Sequence, residues 1–245
     1  MPLTETELVQ RFRRMGVQPG MALEVHCALS QFGLVQDGAD ALIRALIQAV
    51  GREGSLVMPA FRLSPELALT EDDRKLGLIR KIRILSADAP LSGMGIVADT
   101  FRKRRDVITG EGVFRVSAWG QDAERHAEGF QYLIDHGGYA LLLGVDIYRL
   151  SAMHYVEDAL PEEIRRRFRP SDEARAIYPE DTWLTEVWEP EAKPWYKIQN
   201  EALAKGLITT AHIGSAPCMF FQVRPVIELY RAALLRDPFS LYGLK

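Results

Sequence analysis

The chain has 245 residues, 47% of them hydrophobic and 26% charged, and a formal net charge of −3. That composition belongs to a globular protein with enough chain for a sizeable core, and the charge excludes the strongly basic field that draws proteins to nucleic acid or anionic lipid. The two cysteines are far apart and in no metal-ligand spacing, no apolar run approaches the ~20 residues of a membrane span, and the polar start "MPLTETELVQRFRRMG" carries no signal core, so the expectation is a cytoplasmic protein with no metal.

Thr4, followed three residues later by Glu7, opens a helix that Gly16 stops. "MALEVHCAL" (21–29) reads as a strand. The stretch "DGADALIRALIQAVG" places Leu42, Ile43, Leu46, Ile47 and Val50 on one face of a helix, with Asp37 or Asp40 as cap and Gly51 as stop. "GSLVMPAF" is a second strand, and strand–helix–strand within this length is a parallel βαβ unit. "MGIVADTFRKRRDVI" and "ERHAEGFQYLIDHGG" read as helices, "YALLLGVDI" as a strand and "RLSAMHYVEDAL" as the helix after it. Charged stretches at 62–75 and 161–182 have no clear period and are read as solvated loops or as lids over a pocket. The C-terminal third contains "WLTEVWEP", "KPWYKIQNEALAKG", "ITTAHIGSAPCMFFQV" and the helix "RPVIELYRAALLRD". No repeat or linker appears. The fold class is α/β, a largely parallel central sheet flanked by helices, with helical or loop insertions over the strand ends, in one domain spanning 1–245.

Ligands of open α/β sheets gather at the carboxyl ends of parallel strands, which turns attention to 24–33, 57–61 and 141–158. His154 and Glu157 are three apart and share one face of a helix. A histidine titrates near neutral pH, and a carboxylate beside it fixes its tautomer and raises its basicity. Ser151 either caps that helix or offers a hydroxyl to the site. His26 and Cys27 are adjacent on a strand and so face opposite sides. Cys27 is a buried small residue or a nucleophile served by His154, and one disulfide with Cys218 is open, though two cysteines fit a reduced compartment. "GMG" (93–95) is a turn or a set of N–H donors for a phosphate or pantetheine oxygen. Trp183, Trp188, Trp195 and Tyr196, mixed with Glu186, Glu189 and Glu191, form an aromatic core with an acidic surface or a seat for a cationic or sugar-like ligand.

Taken in order, these blocks resemble the aminoglycoside 3-N-acetyltransferase family. "VHCALSQFGLVQDGADALIRALIQAVGREGSLVMPAF" is similar to its V-H-S-S-L-S-x-x-G…L-V-M-P-T block, "APLSGMGIVADTFRKRRDVI" to its M-G-x-x-x-E-x-F-R segment, and "LLLGVDIYRLSAMHYVED" to L-L-L-G…T-x-x-H-x-x-E, with serine for threonine. "IGSAPCMFFQVRPVIELYRAALLRDP" has the look of its C-terminal strand and helix. The resemblance implies acetyl-CoA as co-substrate, a small amine as acceptor, and a monomer or homodimer. It implies His154 as general base, Glu157 as its helper and Ser151 near the acyl group. His26, Cys27, Ser30, Gln31, Phe32, Met94 and Gly95 would lie along coenzyme A. Glu111, Arg115, Tyr155 and Asp158 would face the acceptor. Backbone N–H groups of the 26–33 turn are candidates for the tetrahedral oxyanion. The family's R-S-x-H-P motif is absent: Ile108, Thr109, Glu111 and Gly112 stand in its place, with Arg115 near a later serine of the family. The segment between His126 and Leu141 is also shortened.

Overall fold

The computed structural model describes residues 2–244. Helix α1 (Glu5–Met15) begins at a reciprocal capping box between Thr4 and Glu7 and ends at Gly16, whose φ is 115°, as the pattern predicts. Strand β1 (Ala22–Cys27) runs into a 3-10 turn over Leu29–Phe32, α2 (Gly38–Val50) crosses one face, and β2 (Ser55–Pro59) returns parallel to β1. An excursion carrying α3 (Glu71–Lys75) and β3 (Arg80–Arg83) leads to α4 (Ile96–Arg102), β4 (Ile108–Thr109) and β5 (Val116–Gly120). Short helices α5 (Ala123–Ala127) and α6 (Gln131–Asp135) precede β6 (Tyr139–Leu143). Two 3-10 segments, Ile147–Arg149 and Ser151–Ala159, lead to α7 (Glu162–Phe168), α8 (Asp172–Ile177) and β7 (Trp183–Glu186). The chain ends with α9 (Pro194–Ala204), the hairpin β8 (Thr209–Ile213) and β9 (Ala216–Gln222), α10 (Val223–Arg236) and α11 (Pro238–Leu241).

The main sheet has seven strands in the order β4-β5-β2-β1-β6-β9-β8. Its centre is the expected parallel core, β1 pairing parallel with both β2 and β6. The outer pairings are antiparallel, so the sheet is mixed. Leu23 and Val25 of β1 belong to the apolar layer filled by α1, α2 and α4. The opposite layer is built from α6, the second 3-10 segment, α9 and α10, and on β1 the alternating positions Glu24 and His26 belong to that side.

Three expected helices differ. The helix begun near Gly95 stops at Arg102, and the one expected over 124–138 is broken into α5 and α6 at Gly129, where an added Cβ would collide with the Tyr155 hydroxyl. The "RLSAMHYVEDAL" stretch is 3-10 rather than α. The charged stretches 62–75 and 161–182 contain short helices, and β3 pairs antiparallel with β7 to tie the two excursions together. Beside that pair the fully buried Asp73 receives Lys81 Nζ at 2.5 Å and the Tyr178 hydroxyl.

Candidate active site

The carboxyl ends of β1 and β6 lie side by side, Cys27 opposite Leu143, and the Ala28 N–H donates to the Leu143 carbonyl at 2.9 Å. Gly144 then turns the chain at φ 69°. A Cβ there would stand 2.7 Å from Gln31 Cβ, so glycine lets the 29–32 turn close against the end of β6. The 3-10 segments follow directly.

His154 is the fourth residue of the second segment. A 3-10 helix has three residues per turn, so residues i and i+3 eclipse one another; the spacing that marks one face of an α-helix brings this pair together here as well. His154 Nδ1 lies 2.7 Å from Glu157 Oε2, and Tyr230 donates its hydroxyl to Glu157 Oε1 at 3.5 Å. The imidazole side chain is 61% exposed and rests edge-on against Trp195, ring centroids 4.9 Å apart. Partial desolvation works to lower its proton affinity, but the hydrogen bond and charge of Glu157, with Glu24 and Glu186 adding theirs, hold its pKa above the ordinary histidine value. Because Nδ1–H is directed at Glu157, Nε2 presents its lone pair away from the carboxylate. The arrangement can take a proton from a bound group.

Beneath this segment lies a buried pair that sequence reasoning missed. Glu24 is fully buried and His26 is 8% exposed, with Nε2 2.8 Å from Glu24 Oε1. Glu24 Oε1 also accepts the Ala152 N–H at 3.2 Å. The signal was present in "EVH", since residues two apart on a strand share a face. Ser151 is buried beside His26, its backbone nitrogen 3.4 Å from His26 Nε2. It does not cap the segment: Leu150 holds the cap position, with no side-chain cap bond.

On the expected donor side, Ser30 and Gln31 are exposed on the 29–32 turn. Phe32 is not available to a cofactor; at 2% exposure it fills the apolar layer beneath β1. Cys27 packs against that same layer, away from His26, and burial with Cys218 nearby pushes its thiol up to about 12. Both cysteines are free thiols, so no disulfide joins them, and the raised pKa leaves Cys27 little thiolate for a nucleophilic role. The "GMG" N–H groups do not form an open cradle. Gly93 donates to Leu63 O, Met94 to Ser92 Oγ and Gly95 to Ser92 O. Of the 26–33 turn, the N–H groups of Ala28 and Gln31 are likewise used within the chain.

The residues expected toward the acceptor scatter. Tyr155 is structural, its hydroxyl accepting the Phe130 N–H at 2.9 Å. Asp158 is exposed one residue beyond Glu157. Glu111 and Arg115 line an open groove of about 470 Å³ with Ile108, Phe114, Glu124 and Glu128, and His154 is not among its walls. Arg115 spends Nε on Ala60 O and an Nη on Ala87 O. Burial, then the nearby Arg102 and Arg62, lower its pKa, while Glu111, Glu124 and Glu128 give the groove itself a net acidic lining. The aromatic–acidic stretch divides. Trp195 joins His154 and stacks on Tyr148, centroids 5.1 Å apart, while Tyr196 donates to Asp146 at 2.6 Å. Trp188 packs with Phe168 and Tyr242, and Trp183 with Tyr178. Glu186 is held by Arg80 at 2.6 Å on β7. Among the described residues there is no cluster of three or more His, Cys, Asp or Glu placed to hold a metal ion, and no helix is long and apolar enough to cross a membrane.

A family model described as aminoglycoside 3-N-acetyltransferase matches residues 25–234. The chain is 26% identical over 260 residues to the SPbeta prophage-derived aminoglycoside N(3')-acetyltransferase-like protein YokD of Bacillus subtilis (strain 168), covering 93% of this chain and 90% of that protein. It shares its fold with the apoenzyme of aminoglycoside acetyltransferase AAC(3)-IVa, with a TM-score of 0.73 at 21% identity over 98% of this chain and 92% of that one. It shares it also with AAC-IIIb in binary complex with CoASH, with a TM-score of 0.68 at 18% identity over 96% and 97% of the two chains.

Proposed function

The chain belongs to the aminoglycoside 3-N-acetyltransferase family, an acyltransferase family, and from that premise we propose that it moves an acetyl group from acetyl-CoA to a primary amine of an aminoglycoside-like or other small amino compound, with His154 as general base. The observation that carries this reading is the His154–Glu157 pair, 2.7 Å apart and open to solvent beside the carboxyl ends of β1 and β6. The reading takes residues 1–245 as one antibiotic-acetyltransferase-like domain, working as a monomer or homodimer in the cytoplasm.

An amine is an ammonium ion near neutral pH and attacks nothing until it loses a proton. His154 Nε2 takes that proton, and Glu157 stabilises the resulting imidazolium through Nδ1–H. The free amine adds to the thioester carbonyl. The adduct nitrogen still carries one proton too many and releases it to solvent as the adduct collapses; the C–S bond breaks, and coenzyme A leaves as a thiolate that recovers the proton held by the imidazolium, so that one proton ends on sulfur and one in water. The acidic surroundings of His154, namely Glu157, Glu24 and Glu186, favour a cationic acceptor. Asp158 extends that surface. On the donor side we assign Ser30, Gln31, Met94 and Gly95 to the thioester arm. Ser151 lies near the acyl group in this reading. A solved relative described as bound to sisomicin, AAC-VIa, has the same fold and supports the acceptor class.

The replaced 108–115 loop favours a second reading, the same scaffold with another acyl donor. Calorimetric titration with acetyl-CoA and with free coenzyme A separates the two. Saturable micromolar binding, followed by thiol release with an aminoglycoside panel, is expected. No binding up to millimolar concentration would remove acetyl-CoA in favour of the second reading.

A further inference from the structure

We propose that Glu24 is a positioning residue for His154, its buried carboxylate clamping the start of the segment on which that histidine stands. The inference rests on the reading of His154 as the base. Glu24 occupies a central-strand position, in register with Val57 on one side and Ala140 on the other, both fully buried. The apolar layer it faces would accept a valine or leucine there at far lower cost than a carboxylate.

What the carboxylate does locally accounts for its presence. The first N–H groups of a helical segment have no partner within the segment, and Leu150 at the cap position supplies none. Glu24 reaches across from β1 and accepts the Ala152 N–H at 3.2 Å, two residues before His154. It does from the sheet what a capping side chain does from the chain itself. The same oxygen receives His26 Nε2–H at 2.8 Å. That shorter contact places the proton on Nε2, so Ser151 N, 3.4 Å away, packs against the ring without donating to it. Glu24 Oε2 has no hydrogen-bond partner in the protein although it is buried. Oε1 alone therefore ties β1 to the segment, holding the Ala152 N–H and His26 together.

Glu157 on its own segment bonds His154, and the Tyr230 hydroxyl on α10 reaches Glu157; the charges of Glu24 on β1, beside His26, and of Glu186 on β7, itself paired with Arg80, act on the ring from further away. The test is Glu24→Gln, which keeps the shape and removes the charge. Titration of the histidine ring resonances by NMR, with His154→Gln assigning the signal, is expected to move the His154 midpoint down by about half a unit, roughly threefold in proton affinity. The expected kinetic effect is a fall in kcat of about tenfold with the amine KM within about twofold. An unchanged midpoint with unchanged kcat in Glu24→Gln and again in Glu24→Met, which also removes the acceptor of the Ala152 N–H, overturns the proposal. Should Glu24→Gln not fold, Glu24→Met alone decides, and the same two outcomes apply. The NMR readout does not need turnover. A wild-type protein that acetylates no amine therefore overturns the function proposed above, while the titration still decides the role of Glu24.

Discussion

His154 and Glu157 face each other at 2.7 Å, one 3-10 turn apart. The pair joins a ring open to solvent with a carboxylate that raises its proton affinity, and the sign of its pH dependence follows. The base works only when unprotonated, so kcat/KM rises with pH through the His154 midpoint. That midpoint lies above the ordinary histidine value of about 6.5, so the acid limb is displaced toward alkaline pH. Glu157→Gln should return it to lower pH, and a pH–rate profile on both proteins measures the shift. His154→Ala should cut kcat by about 10²–10⁴-fold with little change in Tm, because the ring is mostly exposed. Wild-type-like rates in that variant would remove His154 from the base role.

Cys27 is expected to be dispensable for transfer. Its thiol is pushed up to about 12 and packs on the opposite face of β1 from His26, so almost none is thiolate at neutral pH. Cys27→Ser should keep kcat within about twofold. A loss beyond about tenfold, roughly 1.4 kcal/mol of barrier, would instead point to a covalent acyl-enzyme.

Tyr155 holds structure rather than substrate. Its hydroxyl accepts the Phe130 N–H at the α5–α6 junction. Tyr155→Phe should cost about 1 kcal/mol in urea unfolding and leave the amine KM unchanged. A raised KM with unaltered stability would return Tyr155 to the acceptor site.

The excursions are fastened by Asp73, Lys81 and Tyr178. Burial alone would raise the Asp73 pKa, but hydrogen bonds from Lys81, Tyr178 and Thr70 hold it well below the usual carboxylate range. A depressed folded-state pKa stabilises the protein fully above the unfolded value, and that stabilisation is lost as pH falls from there toward the folded value. Asp73→Asn leaves Lys81 buried without its counter-charge, and a Tm loss of at least about 5 °C is expected. The wild-type advantage should shrink below about pH 4, which thermal melts across pH would measure.

Much of this was legible locally. The capping box at Thr4 and Glu7, the apolar stripe of α2 and the parallel placement of β1, β2 and β6 follow from short-range pattern, because capping, helical period and βαβ handedness are properties of neighbouring residues. So does the meeting of His154 with Glu157, since a three-residue spacing joins them in either helix type. The antiparallel strands β4 and β5 escape such a reading, β4 because it is only two residues long and β5 because its longer pairing is with β2, about 60 residues earlier.

Contacts across the sheet decided the rest. Glu24 looked like one more strand residue until β6 brought Ala152 over it. Phe32 looked like part of a ligand loop until packing turned it inward, and Tyr155 like a site residue until its hydroxyl met Phe130. A side chain's direction, burial and hydrogen-bond partner depend on residues far along the chain, and only folding brings those into range.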